Sequence, residues 1–208
     1  MPPLDIEDML PPMLGRRAQI AFVVKDLDEA LRYWTEAMKV GPFVVIDNSV
    51  AGRRVVYRGV ETAMDSSLAF SYIGDLQIEI VHQTNDAPSP FKDFLDSGRE
   101  GLQHIAFWPP DFGGACAYLE RTGFSEMLSM YTADGARNVV YYEAPAHIGV
   151  MVEIVPLTPS RQAYFGRIQN LTRNWDGTRP VRRFASREAF LASGEGLIDA
   201  RHARKEGE

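Results

Sequence analysis

The sequence predicts an α+β fold: paired β-α-β-β-β modules forming a cupped mixed sheet, with a C-terminal helical extension. Three observations predict it. One order of elements runs through residues 17–84 and restarts over 102–156. Polar residues interrupt apolar strands at matching places in the two copies. Beyond residue 156 the apolar residues take helical spacing. A repeat of this kind is weighed first, because it decides the architecture.

In the first copy, "AQIAFVV" (18–24) reads as a short buried strand. "KDLDEALRYWTEAMKVG" (25–41) reads as a helix. Asp26 is placed to cap it with Glu29 three positions on, and Leu27, Ala30, Leu31, Trp34 and Met38 share one face. Gly41 reads as its end, since Pro42 cannot continue it. "FVVID" (43–47) and "RRVVYRG" (53–59) are strand-like. "LAFSYIG" (68–74) turns through Gly74-Asp75 into "LQIEIVH" (76–82), an antiparallel hairpin. A linker over 85–101 holds a short helix.

The second copy offers the strand "HIAFW" (104–108) and a glycine-loosened helix over 111–123. The strands 124–131, 137–145 and 149–156 follow, the first two joined by a turn at Asp134-Gly135. This gives an N-terminal segment (1–16), one domain of two modules (17–156, divided into 17–84 and 102–156) and an extension (157–208). In the extension, Tyr164, Ile168, Leu171 and Trp175 form a helical face suited to docking on the main domain. Residues 186–208 hold another helix before a charged end.

Composition narrows the class. The chain has 208 residues, 45% of them hydrophobic, so a packed core is expected. The net charge of −6, with both signs mixed along the chain, argues against a nucleic-acid partner. The densest basic stretch, "RPVRRF" (179–184), reads as surface ion pairs rather than a phosphate groove. Cys116 is the single cysteine, which excludes an internal disulfide and fits a reducing compartment. "MPPLDIEDMLPPML" lacks the basic start and apolar run of a secretory signal. No uncharged run approaches the roughly 18 apolar residues of a membrane span. A cytoplasmic protein without a membrane partner is expected.

Four polar residues carry the chemistry. In "LQIEIV", Gln77, Glu79 and Val81 face away from Leu76, Ile78 and Ile80; in "GVMVEIVP", Met151, Glu153 and Val155 face away from Val150, Val152 and Ile154. Glu79 and Glu153 thus stand at matching places in the last strand of each copy, and Gln19 and His104 at matching places in the first. If the copies pair symmetrically, all four point into one cup. Two carboxylates, an imidazole and an amide oxygen suit a divalent ion such as Zn, Ni, Co, Mn or Fe(II), without singling one out. Two carboxylates buried side by side without a cation would repel and lose hydration. Taken singly, a strand Glu most often faces water and a strand His is most often a packed residue; the matched placement favours the site. His82 reads as a strand-end surface residue, His147 as a loop residue, and Tyr57, Tyr72, Tyr141 and Tyr142 as packing residues.

At these positions "QIAFVVKDLDEALRYWTEAMKVGPF", "LQIEIV", "GLQHIAF" and "VMVEIVP" resemble the vicinal oxygen chelate superfamily, also called glyoxalase/bleomycin-resistance/dioxygenase proteins. The resemblance covers about residues 17–156 and points to glyoxalase I and methylmalonyl-CoA epimerase-like members. It implies paired modules, a homodimer, and a metal held by Gln19, Glu79, His104 and Glu153. It also implies a metal-dependent isomerase, epimerase or lyase that enolises a small carbonyl substrate, an acyl-CoA or 2-oxo compound. The metal would act as a Lewis acid, and Glu153, with Glu79 second, would move the proton. The alternative is a binding or drug-sequestering protein of the same fold, which needs no charged site. An extradiol-type dioxygenase fits less well, since it uses two histidines and one carboxylate.

Overall fold

The computed structural model describes residues 13–15, 18–173 and 175–197. The expected N-terminal segment falls almost wholly outside them, as do residues 198–208 of the charged end. The strands are β1 (Ala18–Val23), β2 (Phe43–Ile46), β3 (Arg54–Tyr57), β4 (Val60–Thr62), β5 (Ser66–Ile73), β6 (Leu76–Gln83), β7 (Gly101–Phe107), β8 (Ser125–Tyr131), β9 (Arg137–Glu143), β10 (Met151–Ile154) and β11 (Val181–Phe184). They form one sheet in the order β11-β2-β5-β6-β1-β7-β10-β9-β8-β3-β4. The helices are α1 (Leu27–Arg32), α2 (Pro90–Asp96), α3 (Phe112–Arg121), α4 (Pro159–Arg173) and α5 (Arg187–Ala192).

The centre of the sheet is near-symmetric. β1 and β7 run antiparallel, and each lies parallel to the last strand of its own copy, β6 or β10. Alternation then assigns the faces. Val23, Val81, Trp108 and Val155 turn into the cup and share one large apolar cluster. Ile78 and Ile80 turn outward against Leu27 and Leu31 of α1. Val152 and Ile154 turn outward against Ala115, Cys116 and Leu119 of α3. The cup interior and two helix-covered outer layers therefore arise from one period-two pattern.

Two strands depart from the repeat. The 53–59 segment belongs to the first copy in sequence, yet β3 pairs antiparallel with β8 of the second and carries β4 outermost. β11, from the arginine-rich stretch of the extension, pairs parallel with β2 at the opposite edge. Its arginines form the expected surface pairs: Arg182 with Glu195 at 2.8 Å, Arg179 with Glu195 at 2.7 Å, and Arg183 with Asp28.

Helix ends follow their caps. Asp26 accepts from the Glu29 N–H at 2.9 Å and starts α1 as expected. The helix does not continue to Gly41. It passes into a π turn over Tyr33–Ala37, and Lys39 takes the left-handed region at φ 58°. The wider turn rotates the face, so Trp34 packs on Phe22 while Met38 stays 54% exposed. In α3, Asp111 caps the Gly114 N–H at 2.9 Å. A Cβ at position 114 would sit 2.2 Å from an Asp111 carboxylate oxygen, so that glycine makes room for the cap.

The extension covers the cup. Tyr164, Phe165 and Ile168 of α4 and Phe190 of α5 are buried in the cup cluster. The Phe165 ring stacks on Trp108 with centroids 5.0 Å apart and planes 9° from parallel. Arg167 of α4 holds α5 in place by donating to the carbonyls of Leu191 and Glu195 at 2.7 and 2.8 Å. Trp175, expected on the α4 face, lies beyond the helix end; its indole N–H bonds the Thr178 carbonyl and its ring packs against Gly41. At the far side of the cup, α2 inserts Phe91 and Phe94. No described helix is long and apolar enough to cross a membrane.

Candidate metal centre

The four residues singled out by strand position meet inside the cup. Gln19 comes from β1, Glu79 from β6, His104 from β7 and Glu153 from β10. All four are buried, and His104 has no exposed surface. The imidazole Nε2 stands 3.3 Å from a Glu79 oxygen and 3.4 Å from a Glu153 oxygen. One ligand atom from each of Glu79, His104 and Glu153 lies within 4.8 Å of the others. The Gln19 amide N–H donates to Glu79 at 2.5 Å.

A cation fits this donor set on the structure's own terms. His104 Nε2 is buried and makes no well-directed hydrogen bond among the described residues, although two carboxylates flank it. Burial alone would strip the imidazole of its proton. The hydrogen bonding and charge of Glu153 and Glu79 outweigh burial and push its pKa up to about 9. Burial conversely drives the Glu79 pKa above the usual carboxylate range, against the pull of His104. In the metal-free protein a proton on Nε2 thus partly offsets two carboxylates. A divalent ion would do so more completely, with ligands of the kind Zn, Mn or Fe(II) accepts. The cluster contains one histidine and two carboxylates, not the pair of histidines and single carboxylate of an extradiol iron site.

The other face of the imidazole is fixed by a residue the sequence reading passed over. Gln103 accepts a hydrogen bond from His104 Nδ1 at 2.6 Å. Neighbours in a regular strand point to opposite faces and cannot meet in this way. The β1–β7 pairing, however, jumps from Ala21 opposite His104 to Phe22 opposite Leu102, leaving Gln103 as the extra residue of a β-bulge. The bond places the ring proton on Nδ1 and leaves Nε2 for the cup, the usual division in a ligating histidine. Tyr141, expected only to pack, stands edge-on to the imidazole with centroids 5.0 Å apart. Burial, followed by the charges of Glu153 and Glu79, raises its pKa well above the ordinary phenol value, so it stays a neutral hydroxyl.

His82 faces away from the cup and approaches the Val24 carbonyl at 3.3 Å; His147 lies in the turn before β10. Neither joins the cluster. A pocket of about 120 Å³ opens over the site. Gln19, Glu79 and Glu153 form part of its lining, and Phe70, Trp108 and Phe165 form apolar walls.

With this geometry in place, comparison with known proteins gives a consistent result. The profile of the Glyoxalase/Bleomycin resistance protein/Dioxygenase superfamily matches residues 18–142. The chain belongs to this superfamily. Among solved structures, methylmalonyl-CoA epimerase from Mycobacterium tuberculosis matches at 19% identity and a TM-score of 0.55, over 76% of this chain and 99% of that one. A hypothetical protein, BH1468, from Bacillus halodurans C-125 matches at 20% identity and a TM-score of 0.51, over 67% and 92%. A Streptomyces coelicolor methylmalonyl-CoA epimerase in complex with 2-nitronate-propionyl-CoA matches at 19% identity and a TM-score of 0.50, over 68% and 93%. At these identities the likeness is one of fold alone. No curated protein matches the chain.

Proposed function

We propose that this chain is a metal-dependent isomerase, epimerase or lyase that enolises a small carbonyl compound, with an acyl-CoA or 2-oxo substrate. The observation that carries the reading is the convergence of Glu79, His104 and Glu153 on one buried point that opens into a pocket. Glu79, His104, Glu153 and Gln19 would hold the ion. The Gln19 amide now presents its N–H to Glu79, so ligation through its oxygen needs a half-turn about the last side-chain torsion. When bound, a divalent ion supplies Lewis acidity to a substrate carbonyl.

The residues of the chain supply the rest. Glu153 is the first choice for taking a proton from the carbon beside the carbonyl and returning it, with Glu79 second. Glu79 is tied to Gln19 and His104, and Glu153 meets His104 at 3.4 Å and lies beside the Tyr141 hydroxyl. The neutral Tyr141 hydroxyl beside Glu153 can hold that carboxylate in line. Phe70, Trp108 and Phe165 keep bulk water from the reacting carbon.

Two measurements test the reading. Metal content is determined on protein purified without chelator and on Gln19→Ala, His104→Ala and Glu153→Ala. Equal content in all four rejects the ligand assignment. Candidate carbonyl compounds are then incubated with enzyme in D₂O. Deuterium at the carbon next to the carbonyl is expected, and none is expected from a protein that only binds.

A further inference from the structure

Three arginines line the same pocket from outside the cluster: Arg53 from the loop before β3, Arg161 from α4, and Arg187 at the start of α5. They are half-buried, and among the described residues none has a carboxylate within salt-bridge distance. Their described partners are neutral. Arg53 approaches the Met130 sulfur at 3.8 Å. Arg161 donates to the Pro156 and Asn138 carbonyls at 3.1 and 3.0 Å. Arg187 donates to the Ser160 carbonyl and hydroxyl and lies over the Tyr164 ring. Three cations thus share one pocket wall; Glu153 and Glu188 act on them through space, and among the described residues no carboxylate forms an ion pair with any of them.

That arrangement is unfavourable in isolation. Burial lowers the pKa of all three, that of Arg161 to about 10; repulsion from Arg53 adds to the shift of Arg161 and Arg187, and the pull of Glu153 and Glu188 does not cancel it. Guanidinium forks in a partly dry pocket favour carboxylate or phosphate oxygens, which they can bind through paired hydrogen bonds. Arg161 and Arg187 belong to the extension and lie beyond residues 18–142, the part matched by the superfamily profile. The extension therefore does two things at one place. It fills the cup mouth with Tyr164 and Phe165, and it brings in positive charge.

We propose that the substrate is a small acid whose carboxylate or phosphate group is bound by Arg53, Arg161 and Arg187 while its carbonyl end faces Glu79, His104 and Glu153. The proposal deepens the enolisation reading and rests on it for the carbonyl end alone. The anion subsite stands on the arginines. Arg53, Arg161 and Arg187 share the pocket lining with Glu79 and Glu153, so one small molecule can present an acidic group to the arginines and a carbonyl to the cluster.

The test uses full-length protein at constant ionic strength, with malonate and inorganic phosphate as probes. Each is titrated calorimetrically into wild type, Arg53→Gln and Arg161→Lys, in chelator-treated and Co(II)-loaded forms. Saturable binding in wild type, weakened at least tenfold in both variants with Co(II) affinity unchanged, is the expected result. Tighter malonate binding assigns the group as a carboxylate and tighter phosphate binding as a phosphate ester; either supports the subsite. Binding of neither probe, or equal binding in all three proteins, overturns it. Arg53→Gln guards against a folding artefact, because it removes no hydrogen bond to the backbone. Should Co(II) fail to bind while anion binding remains arginine-dependent, the metal reading falls and the anion subsite stands.

Discussion

Gln103 shows how much a single bulge can decide. Its amide oxygen meets the ring nitrogen of the adjacent His104, a contact that only an irregular strand allows. Gln103→Leu should keep the fold yet lower Co(II) affinity about 10–100-fold, the usual cost of losing a bond that orients a ligand. Optical titration of the metal reads this directly; unchanged affinity would show that ring orientation is set elsewhere. A second expectation follows from proton binding. The folded chain holds the His104 proton more tightly than the unfolded chain does, with a pKa near 9 against an ordinary 6.5. This contribution to stability is complete below about pH 6.5 and fades as pH rises through 9. The raised Glu79 pKa acts in the same direction. Metal-free protein should therefore melt at progressively lower temperature from pH 6.5 to 9, while metal affinity rises over the same range because the ion displaces the proton. Calorimetry in buffers of different ionisation enthalpy should detect protons released on metal binding at pH 7. The four cup residues were legible because strand alternation and the repeat placed them independently. The Gln103 contact was not, since a bulge is a backbone irregularity that leaves no mark on the alternation of letters.

Among the elements, alternation exposed the cup faces of β6 and β10, and the start of α1 was written in Asp26 and Glu29. The hidden features were those set by distant pairing. Nothing in "RRVVYRG" says that β3 will bind β8, and "RPVRRF" resembles a polar tail until Val181–Phe184 finds an open edge on β2. Phe165 went unread because it follows Tyr164 directly and falls beside the narrow helical series. Short helices depend on their ends. Ser89 is buried and caps α2 through the Phe91 and Lys92 N–H groups at 3.1 and 3.0 Å. Ser89→Ala should cost about 1–2 kcal/mol in urea unfolding. Because α2 carries Phe91 against Tyr141, a stability loss below a few tenths of a kcal/mol would mean that neighbouring contacts hold the helix. Arg167→Ala should cost about 1.5–3 kcal/mol, since charge-assisted bonds to the Leu191 carbonyl of α5 and the Glu195 carbonyl beyond it are lost together. Amide hydrogen exchange should show α5 opening before the sheet.

Across the whole molecule, the cup is closed by parts from both ends of the sequence order. β3–β4 completes the rim of the second copy, and α4–α5 fill the mouth left by both. The apolar wall formed by Trp108 and Phe165 is consequently a joint between the sheet and the extension. Phe165→Ala should cost about 3–5 kcal/mol in unfolding free energy and shift the Trp108 fluorescence to longer wavelength as water reaches the indole. A spectrum that stays unchanged would show the extension to be dispensable for sealing the cup.

The outermost strands carry a further consequence. β4 is three residues long with Glu61 exposed, and β11 is four residues long with its arginines engaged by Glu195, Asp28 and Asp47. A neighbouring molecule that tried to extend the ladder would find only a few rungs, with charge beside them at Glu61, Arg182 and Arg183. The borders are built to repel backbone addition, which guards so wide a ribbon against stacking into filaments. Two copies that associate would have to meet through side-chain surfaces instead.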